Sequence, residues 1–211
     1  MQLNQGKFLQ NGACGYVLRP EFMYDSKYVP NDPSVVPSSL TILIGVNIMA
    51  ARYLNRKSGR GMVSPYVEVE ICGADYDNNK FKTKTITDNG FNPYWNDTFD
   101  FQITNPDLAL LRFVVYDVDI FGDSNFIGQY TVPVRCIRTG YRSIPLKNAF
   151  SEDLELSGTL CSTHTTGNAE IYIRQFVFPQ TLGLGRLTDL KAQKFTIKVI
   201  IFLHSNIWLK I

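Results

Sequence analysis

Histidine and tryptophan are nearly missing from this chain: its 211 residues contain two of each, beside four cysteines. Cys14, Cys72, Cys136 and Cys161 lie far apart and form no Cys-x-x-Cys pair, and His164 and His204 have no paired ligand spacing. Zinc binding and a disulfide framework are both disfavoured, and reduced thiols of a cytosolic protein are expected. There is no apolar run long enough to span a bilayer; the longest near the C-terminus, residues 195–203, is interrupted by Lys198. Residues 1–23 lack a basic-then-apolar leader pattern. The formal net charge is only +2 and no basic block is present, so no nucleic-acid partner is expected. Nucleophile elbows, phosphate-cradling glycine loops and Cys/His pairs are also missing, and no residue of the chain is assigned to catalysis.

What is present is a series of short β patterns. With 45% hydrophobic residues the chain can bury one sizeable core. Strands are expected near 40–50, 64–72, 80–87, 97–103, 110–117, 126–134 and 141–147, separated by Gly, Pro or Asn, as in an all-β sandwich. Val67, Val69 and Ile71 alternate with Tyr66, Glu68 and Glu70, and Phe99, Phe101 and Ile103 repeat the period of two. Leu110 to Tyr116 is almost continuously apolar, the pattern of a central strand covered on both faces. An eighth strand should begin near Ser157–Leu160. The residues after it carry few large apolar side chains, so this strand is expected to stop short, with residues 170–178 or 194–203 as replacements.

Before the sandwich, Tyr16 to Pro20 reads as a short strand ended by proline. Pro30, Pro33 and Pro37 among Asp, Asn and Ser then mark residues 25–38 as a linker.

The run Gly59 to Asp77, with Ser64-Pro65-Tyr66-Val67-Glu68-Val69-Glu70, resembles the C2 domain of phosphoinositide-specific phospholipase C, the gamma class in particular. So do Asn105 to Ala109, Leu111 to Tyr116, Gly140 to Asn148 and Ser151 to Leu156. Residues 1–24 resemble the C-terminal end of that family's catalytic barrel, its last strand included; the likeness covers about 1–160 and stops there. The resemblance implies an eight-stranded antiparallel C2 sandwich of type II topology at 39–160, preceded by a barrel remnant and followed by a divergent tail at 161–211. It also implies that the catalytic segments of the family's barrel lie upstream of Met1. A barrel site is assembled from several strand ends, so the chain alone is not expected to hydrolyse phosphatidylinositol bisphosphate, whatever the parent enzyme does.

Asp117 and Asp119 sit two apart at the end of an apolar strand, a start toward the six to eight oxygens that calcium takes. Through the resemblance, Asp88, Asp117 and Asp119 match calcium-binding positions of related C2 domains. Ser64 and Asn125 stand where aspartate is usual, which weakens any such site, and Asp123 is a substitute donor. The competing reading is that these aspartates only cap loops. Arg52, Arg56, Lys57 and Arg60, interleaved with Tyr53, Leu54 and Met62, form a candidate contact with an anionic phospholipid surface, and Phe121 between Ile120 and Gly122 a candidate inserting side chain. Trp95 and the turn Phe91 to Asn96 read as architecture. The expected role is the C2 module of a phospholipase C fragment that docks on the rest of the catalytic barrel, cytoplasmic and peripheral at the plasma membrane. The alternative is a stand-alone C2 adaptor that binds proteins and has no lipid role.

Overall fold

A computed structural model describes residues 2–16, 18–55, 61–154 and 159–166, the last stretch by its backbone. Eight antiparallel strands form two sheets: β1 Ile42–Arg52, β2 Pro65–Cys72, β3 Asn79–Lys82, β4 Tyr94–Ile103, β5 Leu110–Val118, β6 Ser124–Pro133, β7 Gly140–Pro145 and β8 Thr159–Thr166. One sheet has the order β4-β1-β8-β7 and the other β3-β2-β5-β6. The expected eight-stranded sandwich is present.

The alternation read from the sequence sets the faces. Val67, Val69 and Ile71 are buried, while Glu68 and Glu70 on the opposite face pair with Lys80 at 2.6 Å and Arg112 at 2.5 Å. Val67 and Val69 pack into the core with Phe101, Ile103, Phe113, Val115, Ile44, Val46 and Ile48. Across the two layers Phe81 of β3 stacks on Phe99 of β4, with ring centroids 5.4 Å apart, and meets Phe101 edge-on at 5.2 Å. Strand β5 lies between β2 and β6 and is buried on both faces, as its continuous apolar run predicts.

Three expectations are corrected. The eighth strand does not stop short: Thr159–Thr166 pairs with β1 from Arg52 to Ile44 and with β7 from Pro145 to Gly140. A strand with a ladder on both sides is held by its backbone, and its threonines are β-branched, so it does not depend on large apolar side chains. It runs past residue 160, and neither proposed replacement is needed; residues 170–178 and 194–203 lie outside the described residues. The second correction is at the N-terminus, where the described residues of 14–20 form no strand and Gln2–Gln10 instead forms helix α1. This helix crosses β6 so closely that a Cβ at Gly6 would lie 2.8 Å from Thr131 Cγ2, and it covers Leu110. Third, β3 ends at Lys82, short of 87; Thr83 and Ile86 still donate to the carbonyls of Val67 and Pro65, but outside a regular ladder. Residues 25–38 hold a 3-10 turn at Pro33–Val35 that places Val36 in a buried position, while most of the segment is exposed.

Candidate functional site: the loop end of the sandwich

Strands β1, β3 and β5 all run toward one end of the sandwich, which gathers the connections at 53–64 (loop 1), 83–93 (loop 2) and 119–123 (loop 3). Ser64, on loop 1, is bonded to loop 2 and to the end of β5 from which loop 3 leaves. Its N–H donates to Asp117 Oδ1 at 2.8 Å, its carbonyl accepts from the Val118 N–H at 3.0 Å, and its Oγ accepts from the Asp88 N–H at 3.0 Å. Loops 1 and 2 are also in direct contact: Leu54 N–H donates to Gly90 O at 2.8 Å, and a Cβ at Gly90 would sit 2.6 Å from Leu54 O. Only glycine fits that approach.

The three candidate calcium ligands fall on this end but do not converge. Asp117 is fully buried with Oδ1 on the Ser64 amide. Asp88 is exposed, its backbone left-handed at φ 49°. Asp119 Oδ1 accepts the N–H groups of Phe121 and Asp123, each at 2.9 Å, and Oδ2 faces Asn125 Nδ2 at 3.5 Å. Among the described residues no three His, Cys, Asp or Glu side chains come together as a metal site. Calcium needs six to eight oxygens free to turn toward it. One oxygen each of Asp117 and Asp119 is held by backbone amides, an arrangement that caps these loops.

The apolar side chains are placed differently from the aspartates. Ile120 is 93% exposed and Phe121 85%, together at the tip of loop 3. On loops 1 and 2 Tyr53, Met62 and Phe91 are also exposed, with the Tyr53 and Phe91 rings edge-to-face at 4.9 Å. Arg52 is exposed at the end of β1. Arg56, Lys57 and Arg60 lie outside the described residues. Leu54, grouped with the apolar contact residues in the sequence, is instead buried beneath loop 2. Phe91, read as architecture, and Ile120, named only as a flank of Phe121, are exposed at this end as well. The signal for Phe91 is a bulky aromatic inside an Asn-Gly-Phe-Asn-Pro turn, and for Ile120 a β-branched apolar residue beside Phe121, where turn chemistry favours polar side chains.

Cys72 lies at the opposite end of β2 from these loops. Burial, reinforced by the charge of Glu70, pushes the Cys72 thiol up to about 11, which keeps it protonated and unreactive at neutral pH. Among the described residues no helix is long and apolar enough to cross a membrane.

The family model of the C2 domain matches residues 43–147. Over 163 residues the chain is 49% identical to human 1-phosphatidylinositol 4,5-bisphosphate phosphodiesterase gamma-2, covering 76% of this chain and 13% of that protein. It is 48% identical to the Caenorhabditis elegans phosphodiesterase gamma plc-3 over the same length, with 76% and 12% covered. Rat inactive phospholipase C-like protein 1 is 34% identical over 210 residues, covering 90% of this chain and 19% of the relative. An alignment of that reach extends past residue 160, where the likeness read from the sequence ended. The chain thus spans a small part of the length of the curated relatives it matches. The crystal structure of S. officinalis PLC21 superposes with a TM-score of 0.66 at 34% identity, covering 80% of this chain and 21% of that one. A C2 domain of plant extended synaptotagmin 1 superposes at 0.52 with 20% identity, over 62% of this chain and 97% of that domain, a likeness of fold alone. Strand order, loop arrangement and these identities agree: the chain belongs to the phosphoinositide-specific phospholipase C family, gamma class, and carries that family's C2 domain.

Proposed function

We propose that this chain is the membrane-facing C2 module of a phosphoinositide phospholipase C, peripheral at the cytoplasmic face of the plasma membrane. The observation that carries the reading is the loop 3 tip, where two adjacent large apolar side chains are almost fully in water. Burying each is worth roughly 1.5–3 kcal/mol, and a bilayer interface offers that burial without a shaped partner. Tyr53, Met62 and Phe91 widen the apolar end. Arg52, with Arg56, Lys57 and Arg60 close to it in sequence, adds about 1 kcal/mol per basic residue that comes near anionic lipid.

Docking on the catalytic barrel is the second half of the proposal. Leu3, Phe8 and Leu9 of α1 are 40–45% exposed, although the helix packs on β6 through Gly6. Phe8, on the side of the helix opposite Gly6, suits a second layer, and the remainder of a barrel would supply it. Hydrolysis of phosphatidylinositol bisphosphate then belongs to the parent and not to these residues. Relatives named as phosphodiesterases and relatives named as inactive both match this stretch, so the module is common to both. Calcium is assigned no required part in this reading.

Sedimentation with phosphatidylserine-phosphatidylcholine vesicles tests the reading. The protein is expected to pellet with the vesicles and to be released in part, not wholly, by high salt. Absence from the pellet in every lipid and calcium condition would favour the protein-binding adaptor instead.

A further inference from the structure

Loop 3 is built around one side chain. Asp119 gives its N–H to Asp123 O at 3.0 Å, takes the Gly122 N–H on its carbonyl at 3.0 Å, and takes the N–H groups of Phe121 and Asp123 on Oδ1. Four hydrogen bonds from a single residue therefore close the segment 119–123, and Gly122, at φ 88°, supplies the left-handed turn. The two residues left at the apex are Ile120 and Phe121. Beneath them Ser64 holds the neighbouring loops by bonds to Asp88, Asp117 and Val118. A bond from a backbone amide to a carboxylate is charge-assisted and stronger than a neutral one. The loop is thus organised by the protein's own amides.

We infer that Asp119 is a positioning residue that presents Ile120 and Phe121 as a preformed wedge, so that this C2 domain inserts into membranes without a divalent cation. The inference rests on the membrane-docking reading above and adds how that docking is controlled. Shaping the loop before contact spares the ordering cost that an unformed loop would pay on insertion.

The roles of latch and metal ligand separate by substitution. Asparagine keeps an Oδ1 acceptor for both amides but removes the charge that calcium binding relies on, whereas alanine removes the acceptor too. Wild-type protein and the variants D119N and D119A would be sedimented with phosphatidylserine-phosphatidylcholine vesicles in EGTA and in millimolar calcium. The wild type is expected to bind within about twofold in the two conditions, D119N within about threefold of it, and D119A about tenfold more weakly, in line with the loss of two charged hydrogen bonds. Amide exchange provides a check that does not depend on the alanine variant folding: the Phe121 and Asp123 N–H groups should be protected in wild type and D119N, with no gain on adding calcium. Binding only in calcium, or D119N as weak as D119A, or unprotected Phe121 and Asp123 amides, would overturn the latch and leave membrane docking standing. Failure of the wild type to bind under either condition would overturn both.

Discussion

Replacing Ile120 and Phe121 together by serine is expected to lower vesicle partitioning by about a hundredfold or more. The tip positions are 93% and 85% exposed, so the change costs the folded protein almost nothing; thermal unfolding should move by no more than about 2 °C. The loss falls on the bound state, where two apolar side chains of roughly 1.5–3 kcal/mol each no longer enter the bilayer interface. The single changes should each account for about tenfold, with Phe121 the larger through its greater apolar area. Flotation or sedimentation at several lipid concentrations gives the partition coefficients. If the double variant keeps more than a third of wild-type partitioning, loop 3 is not the docking element.

The largest effect on stability is expected at Trp95. It is 2% exposed, sits where β4 begins on the sandwich edge, and donates its indole N–H to Lys84 O at 2.9 Å. The register between β1 and β4 shifts between Ile48 and Ala50, opposite this point, and Asn96 takes a positive φ of 58°. Trp95 lies on the same inward side of β4 as Phe99, Phe101 and Ile103. Trp95→Ala removes the ring from the core and one of the two donors to the Lys84 carbonyl, leaving the Thr83 hydroxyl at 3.1 Å, a cost of about 3–5 kcal/mol from packing alone. For a domain with about 5–15 kcal/mol in total, that is a large share, and the melting temperature should fall by roughly 6–20 °C. Trp95→Phe retains most of the packing and should lose about a third of that. Circular dichroism melts decide the point, and a fall below about 3 °C for the alanine variant would show that the ring does not close the core.

How much of this was legible depends on what holds each element. Strands whose inner face is apolar could be read directly: Val67, Val69 and Ile71 in β2, and Phe101 and Ile103 in β4, alternate because one face is buried. Strand β8 could not be, because Cys161 to Thr166 carries no such stripe and is placed by ladders to β1 and β7 on either side. Helix α1 escaped for a related reason. Its buried positions are Gln2 and Gly6 while Leu3, Phe8 and Leu9 face out, so its apolar residues do not report contact with the sandwich. At the site, the position and type of Phe121 were enough to mark it as exposed. Leu54 was misplaced because nothing in a loop's composition says that its neighbour will be a glycine close enough to cover it. The aspartates were the hardest case. Residue types matched a calcium pattern, but that Asp117 and Asp119 also cap the backbone amides of Ser64, Phe121 and Asp123 depends on where those amides point, and sequence does not carry that.

On this reading the tip of loop 3 enters the lipid without help from a metal ion. Phe121→Trp places a fluorophore at that position, and its emission, after subtraction of the wild-type spectrum, can be followed with vesicles containing brominated lipid in EGTA. A blue shift with strong quenching, unchanged when calcium is added, is the predicted result. Emission that stays at the wavelength of a water-exposed indole and is not quenched would contradict it.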